Sequence, residues 1–241
     1  MKNPAAGGGR WVDVAPGRFP TWIAEFAYRH DGAVAVESDA SRRVFTFTAV
    51  DGAIAECHPP FPPVPHAVEA PAVAEAPAVA EALARIIAAH AAADRTVGVL
   101  LVRLGGYAVG VFAGSPPALV SSKTGNRPVH GRSAAGGWSQ HRFARRREKQ
   151  VSEALSAAAN SAADMFGKYP LPSLAAVVLG GDRRAIAGLQ DDPRLAPYLA
   201  IAVDRFLTVP DPRLAVLRDT PRAIQAIRIR LTEPDPKPDN S

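Results

Sequence analysis

Hydrophobic residues near the start of the chain recur at two different periods. Between positions 16 and 30 they follow helical spacing, and Asp31-Gly32 then ends the predicted helix. The residues with this spacing are Phe19, Trp22, Ile23, Phe26 and Ala27. Two short runs rich in β-branched and aromatic residues follow at 33–37 and 44–48, with polar turn residues between them, and Asp51-Gly52 predicts a further reversal into a strand at 53–57. The pattern predicts a small α+β module over residues 10–58.

The second half of the chain carries a longer series of apolar runs. Three of them, at 97–103, 107–112 and 118–122, are separated only by short turns that contain glycine, which predicts an antiparallel meander. We then predict a helix at 139–166, a strand at 175–179, a helix at 183–190, a strand at 199–203 and a helical segment at 213–227. This order predicts a mixed five-stranded sheet covered by helices, in an RNase H-like arrangement, so the whole chain is predicted to be α+β.

A tract rich in proline and alanine separates the two regions. Residues 58–78 contain seven prolines, and Ala-Pro-Ala-Val-Ala-Glu occurs at 70–75 and again at 76–81, which is typical of a linker. We therefore predict a linker at 59–78 and a second domain at 79–231, which begins with a helix at 80–93. Residues 1–9 and 232–241 are predicted to be disordered because of their composition.

Composition limits the class of protein. With 241 residues and 47% hydrophobic content, the chain is large enough for two packed domains. No apolar run reaches the roughly 20 residues that cross a bilayer, and the first residues lack a signal-peptide core, so we expect a cytoplasmic protein with no membrane partner. The single cysteine, Cys57, excludes an internal disulfide and a cysteine-based zinc finger. His58, His66 and His90 are too scattered to indicate a metal site, and we expect no cofactor.

Positive charge is concentrated in one segment. The chain has a formal net charge of +5, and residues 123–149 hold eight basic residues and one acid, Glu148. This segment therefore has a net charge of +7, and the remaining chain has −2. Such a segment is typical of a surface that contacts a phosphate backbone. Its basic residues are Lys123, Arg127, Arg132, Arg142, Arg145, Arg146, Arg147 and Lys149.

The basic segment combines a glycine-rich loop with the start of a helix. Four glycines lie between positions 125 and 137, and they let the backbone approach a ligand closely. Ser139 is the predicted N-cap, so free backbone N–H groups point toward whatever binds at this helix end. The predicted helix has a basic and an apolar face. The basic face holds Arg142, Arg145, Arg146 and Lys149, and the apolar face holds Val151, Leu155, Ala158, Ala162, Met165 and Phe166.

The segment resembles the catalytic domain of the class I peptide chain release factors of eukaryotes and archaea. In that domain a lysine-rich strand end leads through a loop with Gly-Gly-Gln into a helix that begins Arg-Phe-Ala-Arg, and residues 142–145 reproduce this last element. Aligned on it, Trp138 takes the place of the release factors' glutamine, and Gln140 lies two residues closer to the helix. The Gly-x-x-Gln pattern at 137–140 resembles the Vms-like branch of the superfamily, in particular its actinobacterial peptidyl-tRNA hydrolases.

The resemblance spans most of residues 97–209, and it implies a codon-independent peptidyl-tRNA hydrolase that acts on stalled ribosomes. The implied partners are the large ribosomal subunit, its rRNA and peptidyl-tRNA, and the protein is expected to be a monomer off the ribosome. The implied catalytic residues are Gln140, Gly136, Gly137 and Ser139. The implied RNA-binding residues are Lys123, Arg127, Arg132, Trp138, Arg142, Arg145, Arg146, Arg147 and Lys149.

The residues leave other interpretations open. Some Vms-like relatives are associated with cutting the CCA end of tRNA, and Gln140 would then help a ribose 2′-hydroxyl attack its own phosphate. A non-catalytic module that binds RNA or the ribosome would need only the basic charge. A metal-dependent nuclease would need clustered carboxylates on the central strands, and the three meandering strands contain none. Ser139 and His141 do not indicate a nucleophile and its base, since no acid is placed to orient the imidazole.

Overall fold

The structure is a computed structural model that describes residues 3–4, 8–65, 76–103, 105–126 and 139–234. For residues 3–4, 76–77 and 139–147 it describes the backbone alone. The chain divides into two compact units. Unit 1 comprises residues 1–93 and 222–241, and unit 2 comprises residues 94–221.

Strands and helices are numbered in chain order. The strands are β1 (Asn3–Pro4), β2 (Arg10–Val14), β3 (Val34–Ser38), β4 (Phe45–Ala49), β5 (Ile54–His58), β6 (Val97–Arg103), β7 (Gly106–Ala113), β8 (Ala118–Asn126), β9 (Ala176–Gly181), β10 (Ala202–Leu207) and β11 (Ile227–Thr232). The α-helices are α1 (Phe19–Arg29), α2 (Ala76–Ala92), α3 (Ser139–Phe166), α4 (Arg183–Ala187), α5 (Ala196–Ala200), α6 (Leu214–Arg218) and α7 (Thr220–Gln225). Short 3-10 helices lie at Pro16–Arg18 and Leu171–Ser173.

Unit 1 is built on a six-stranded antiparallel sheet with the order β1-β2-β11-β5-β4-β3. The C-terminal strand β11 lies between β2 and β5. Its alternating sequence suits this position, because Ile227, Ile229 and Leu231 are buried while Arg228 and Arg230 lie on the other face. The sheet thus joins strands from both ends of the sequence.

Helices α1 and α2 supply the rest of the hydrophobic core of unit 1. Phe19, Ile23 and Phe26 recur with helical spacing on α1 and are buried. On α2, Ala84 and Ile87 are fully buried in the same core. The helix and the three strands predicted within residues 16–57 are confirmed, with β3, β4 and β5 each displaced by about one residue from their predicted bounds.

The domain boundaries differ from the prediction in four places. The helix expected to open the second domain is α2, which packs in unit 1. Strand β11, placed by the prediction in the second domain and its tail, pairs with β2 and β5. Part of the predicted linker is also packed, since Val64 is fully buried in the core of unit 1. Asn3–Pro4, predicted to be disordered, pair with β2. Residues 66–75 of the predicted linker and 235–241 of the predicted tail lie outside the described residues.

Unit 2 is built on a five-stranded sheet with the order β10-β9-β6-β7-β8. Strands β6, β7 and β8 form an antiparallel meander, while β9 pairs in parallel with β6 and β10 in parallel with β9. The central strand β6 is buried at every position from Val97 to Val102, as its continuous apolar sequence requires. The predicted mixed five-stranded sheet is confirmed.

Two strand predictions in unit 2 were wrong in their bounds. The predicted strand at 199–203 covers the end of α5 and only the first two residues of β10. Pro197 lies in the first turn of α5, a position that favours helix, and so the apolar run divides between two elements. The third strand of the meander continues past residue 122 to Asn126. Gly125, predicted as part of the glycine-rich loop, therefore belongs to β8.

Candidate functional site

Strand β8 and helix α3 flank the candidate segment. Strand β8 ends at Asn126, and α3 begins at Ser139, the predicted N-cap residue. Residues 127–138 lie outside the described residues, and with them the candidates Arg127, Arg132, Gly136, Gly137 and Trp138. Ser139, Gln140, Arg142, Arg145, Arg146 and Arg147 belong to the first turns of α3, of which the backbone is described. Among the predicted site residues, Lys123 and Lys149 have described side chains, and both are exposed.

Helix α3 is packed along its C-terminal part. Ala158, Ala162 and Phe166 are buried in the core of unit 2, whereas Glu148 and Lys149 are exposed. The predicted apolar face is therefore confirmed from Ala158 onward, and its first two members, Val151 and Leu155, are half-buried. The helix is 28 residues long, so at a rise of about 1.5 Å per residue its first turn lies roughly 30 Å from the packed end.

Lys123 faces α3 from the end of β8. Its Nζ atom lies 3.8 Å from Oδ2 of Asp164, and the two side chains are 50% and 69% exposed. An exposed pair at this distance contributes little to stability, about 0–1 kcal/mol. The ion pair therefore does little to hold β8 against α3.

Tyr107, on β7, contacts both flanks of the candidate segment. It lies opposite Gly125 in the β7–β8 ladder, and its ring occupies the space that a Cβ atom at Gly125 would take. Its hydroxyl is 2.8 Å from Oγ of Ser161 on α3. Ser161 is only 2% exposed. Neither Tyr107 nor Ser161 belongs to a recognisable motif, so sequence patterns alone do not indicate this contact.

A second polar contact joins β8 to the end of α3. The Ser121 Oγ atom lies 3.0 Å from the hydroxyl of Tyr169, just beyond α3, and 3.0 Å from Sδ of Met165. Met165 is buried and Ser121 is half-buried. The C-terminal part of α3 is thus held against β8 by packing and by hydrogen bonds.

A groove of about 710 Å³ runs along the first described side chains of α3. It is lined by α3 residues between Glu148 and Asn160, and on the other side by Gly188, Leu189, Asp192 and Arg194. Arg194 Nη2 donates to Asp192 Oδ2 at 2.6 Å, and this hydrogen bond lowers the pKa of Asp192 and raises that of Arg194. The two charges neutralise each other at the groove wall. No motif in the sequence indicates this groove.

Other titratable groups of the described residues give no sign of a metal site. In the part of the chain that the structure describes, no group of three or more His, Cys, Asp or Glu side chains is arranged to hold a metal ion.

Cys57 packs as a small hydrophobic side chain in the core of unit 1. Its burial raises the pKa of the thiol well above the usual value. The described helices include none that is long and apolar enough to span a bilayer.

Comparison with known proteins identifies one family. A family model described as the Actinobacteria/chloroflexi VLRF1 release factor matches residues 95–230, which include the whole basic segment. This match confirms the resemblance to Vms-like release factors that the sequence indicated. No curated protein matches the chain.

Two solved structures are similar to the chain at low sequence identity. One is the archaeal translation termination factor aRF1, with 13% identity and a TM-score of 0.37, and the alignment covers 86% of this chain and 61% of that one. The other is the Vms1 mitochondrial localization core, with 10% identity and a TM-score of 0.35, where the alignment covers 90% of this chain and 84% of that one. This chain thus spans less than two thirds of the archaeal factor.

Proposed function

This chain belongs to the Actinobacteria/chloroflexi VLRF1 release factor family, and we propose that it hydrolyses peptidyl-tRNA on stalled ribosomes. In this proposal it frees the nascent chain without reading a codon, and its partners are the large ribosomal subunit, rRNA and the peptidyl-tRNA. The observation that carries the proposal is that the family match at 95–230 includes the one strongly basic segment of the chain.

The chemistry fits the residue types in this segment. Hydrolysis of the ester between peptide and tRNA needs a positioned water and donors for the developing oxyanion, and neither role requires a side chain that titrates near neutral pH. In the proposal the amide of Gln140, the second residue of α3, orients the attacking water or the terminal ribose. Ser139 and the backbone N–H groups of the first turn supply further donors. Gly136 and Gly137 keep the adjoining backbone free of side chains.

The basic residues supply affinity in the proposal. Arg132, Arg142, Arg145 and Arg146 pair with phosphates of the acceptor stem or of rRNA, where guanidinium groups form charge-assisted, bidentate hydrogen bonds. Lys123 and Lys149 are exposed at the two ends of the segment and extend the same positive surface. Trp138 stacks on a base.

The test uses ribosome-bound peptidyl-tRNA on a message without a stop codon. Wild-type protein, Gln140→Ala and Gln150→Ala are compared, and both the peptide and the 3′ end of the tRNA are sized. Gln150 is a matched control, because it is the same residue type on the same helix, outside the proposed site. We expect Gln140→Ala to lose roughly 100-fold or more in release rate, the range measured when one oxyanion donor is removed, while ribosome binding and the Gln150→Ala rate stay unchanged.

The products separate the remaining alternatives. A free peptide with an intact CCA end supports ester hydrolysis, whereas a peptide still joined to a 3′ fragment of the tRNA shows that a phosphodiester is cut. Ribosome binding without any product, or full release by Gln140→Ala, would overturn the proposal. The first of these results identifies a non-catalytic binding module, since basic charge alone suffices for RNA affinity.

A further inference from the structure

We propose that Tyr107 is the positioning residue of the candidate site. Through its ring and its hydroxyl it sets the orientation of α3, and therefore the location of Gln140, relative to the end of β8. The catalytic consequence of this inference depends on the proposed function, but the positioning itself does not. Tyr107 would touch neither the peptide nor the tRNA, so its role is distinct from that of the residues in the basic segment.

The ring of Tyr107 fixes one flank of the segment. Tyr107 and Gly125 are direct cross-strand partners, and a side chain on Gly125 would overlap the aromatic ring. The glycine thus lets the ring lie across the end of β8. Gly125 is the penultimate residue of this strand, which ends at Asn126. An aromatic ring over a cross-strand glycine restores the packing that the glycine lacks.

The hydroxyl of Tyr107 fixes the other flank. It lies 2.8 Å from Oγ of Ser161, in a part of α3 where Ala158 and Ala162 are fully buried. A hydroxyl buried like that of Ser161 is costly to leave without a hydrogen bond. The pair therefore has one favoured arrangement, which restrains both the rotation and the tilt of α3 on the sheet.

The length of α3 amplifies any change at this contact. Ser161 and Gln140 are separated by about 30 Å along the helix. Leu155 is the last of the helix's residues toward Gln140 that packs against the core of unit 2, and the side chains of Glu148 and Lys149 beyond it are exposed. By simple geometry a tilt of about 5° at Ser161 moves Gln140 by roughly 3 Å. A displacement of about 1 Å in a catalytic group is enough to cost two orders of magnitude in rate.

The tyrosine hydroxyl can be removed with little change in shape. Tyr107→Phe keeps the ring over Gly125 and deletes only the bond to α3, and Ser161→Ala deletes the same bond from the helix side. Tyr28→Phe is the matched control, because Tyr28 is 87% exposed and lies in unit 1. Near-UV circular dichroism at the assay temperature confirms that each variant is folded.

The first readout is a distance that needs no activity. Spin labels on Thr124→Cys and Lys149→Cys report the position of α3 relative to β8, and Cys57 stays unlabelled because it is fully buried. We expect Tyr107→Phe and Ser161→Ala to broaden the distance distribution or shift its mean, and Tyr28→Phe to leave it unchanged. The second readout is the single-turnover release rate on unlabelled variants at saturating protein.

We expect Tyr107→Phe and Ser161→Ala to release peptide at least about 10-fold more slowly, with unchanged affinity for the ribosome complex. The double variant should be no slower than the slower single variant, since both changes remove one bond. An unchanged distance distribution in both single variants, or a wild-type rate in either, would overturn the inference. If the wild-type protein releases nothing, the proposed function fails while the distance measurement still decides the positioning role.

Discussion

The guanidinium carbon of Arg228 lies 4.3 Å from the centre of the Trp11 ring. Arg228 belongs to β11 and Trp11 to the neighbouring strand β2, so this cation–π contact joins the C-terminal strand to the start of the sheet in unit 1. The rings of His58 and Trp11 also meet in an edge-to-face arrangement, with centroids 5.4 Å apart. The contact shows that unit 1 depends on a strand that follows unit 2 in the sequence.

Truncating a core side chain of β11 should therefore destabilise unit 1. Ile229 is fully buried between β2 and β5, and replacing a buried isoleucine by alanine costs about 2–5 kcal/mol. We expect Ile229→Ala to lower the free energy of unfolding of unit 1 by this amount. Urea unfolding in a Trp138→Phe background, in which Trp11 and Trp22 are the two remaining tryptophans, measures it by fluorescence.

The matched control is Ile54→Ala on the neighbouring strand β5. Ile54 is half-buried on the opposite face of the same sheet, so its loss should cost less than about 1.5 kcal/mol. Equal effects of the two substitutions would contradict the central place of β11 in the core. The two units can unfold separately, so the probe must report on unit 1. Trp11 and Trp22 both lie in unit 1, and their fluorescence is therefore appropriate.

Local sequence patterns predicted most elements but not how they pair. The bounds of α3 were predicted correctly because Ser139 is a typical cap residue at its start and the apolar face continues to Phe166. Strand β11 was not predicted, although Ile227, Ile229 and Leu231 alternate with polar residues, because a helical pattern runs directly into it. Its partners β2 and β5 lie at the far end of the sequence, and no local signal indicates such a pairing.

The candidate site was predictable to the extent that it depends on charge. The basic segment and the helix that begins at Ser139 follow from residue types and spacing. The contacts of Tyr107 with Gly125 and Ser161 and the groove beside α3 arise from tertiary packing, where the partners are distant in sequence. Gly125 illustrates this limit. In the sequence it looks like part of the neighbouring loop, and the structure shows instead that it lies in β8 under the ring of Tyr107.

Acid should weaken the turn between β3 and β4. The Ser41 hydroxyl and the backbone N–H groups of Val44 and Arg43 donate to the Asp39 carboxylate, and they lower its pKa to about 2. In the unfolded chain the pKa of an aspartate is about 3.9. Because the folded pKa is the lower one, this carboxylate stabilises the fold above about pH 4, and the contribution is lost as the pH falls toward 2.

NMR titration of Asp39 and urea unfolding between pH 6 and pH 2 test this behaviour. We expect Ser41→Ala to raise the pKa of Asp39, since the hydroxyl is the largest cause of its shift. Asp39→Asn keeps a side-chain oxygen that accepts from the backbone, but it does not titrate, so the variant should lose less stability on acidification than the wild type. An Asp39 pKa near 4 in the folded protein would show that these hydrogen bonds do not persist in solution.

Removing arginines from α3 should weaken RNA binding in a salt-dependent way. A protein that neutralises phosphates releases counterions, and each contact contributes about 0.7–0.9 to the slope of log affinity against log salt concentration. Replacing Arg142, Arg145 and Arg146 by glutamine should therefore reduce the slope for binding to ribosomes by roughly 2–3. Titrations with large ribosomal subunits at several potassium concentrations measure this slope.

The control for charge is a second triple variant, Arg10→Gln/Arg18→Gln/Arg85→Gln. It lowers the net charge of +5 by the same three units as the first variant. These arginines, however, lie in unit 1 and pair with Glu233, Glu25 and Glu81. If only total charge attracts the protein to RNA, the two triple variants should lose affinity and slope equally. If α3 contacts the phosphates directly, only the first variant changes the slope, because counterion release depends on the phosphates actually paired. Equal slopes in the two variants would exclude a specific role for the basic helix, while leaving any effect of Gln140 on release to be judged separately.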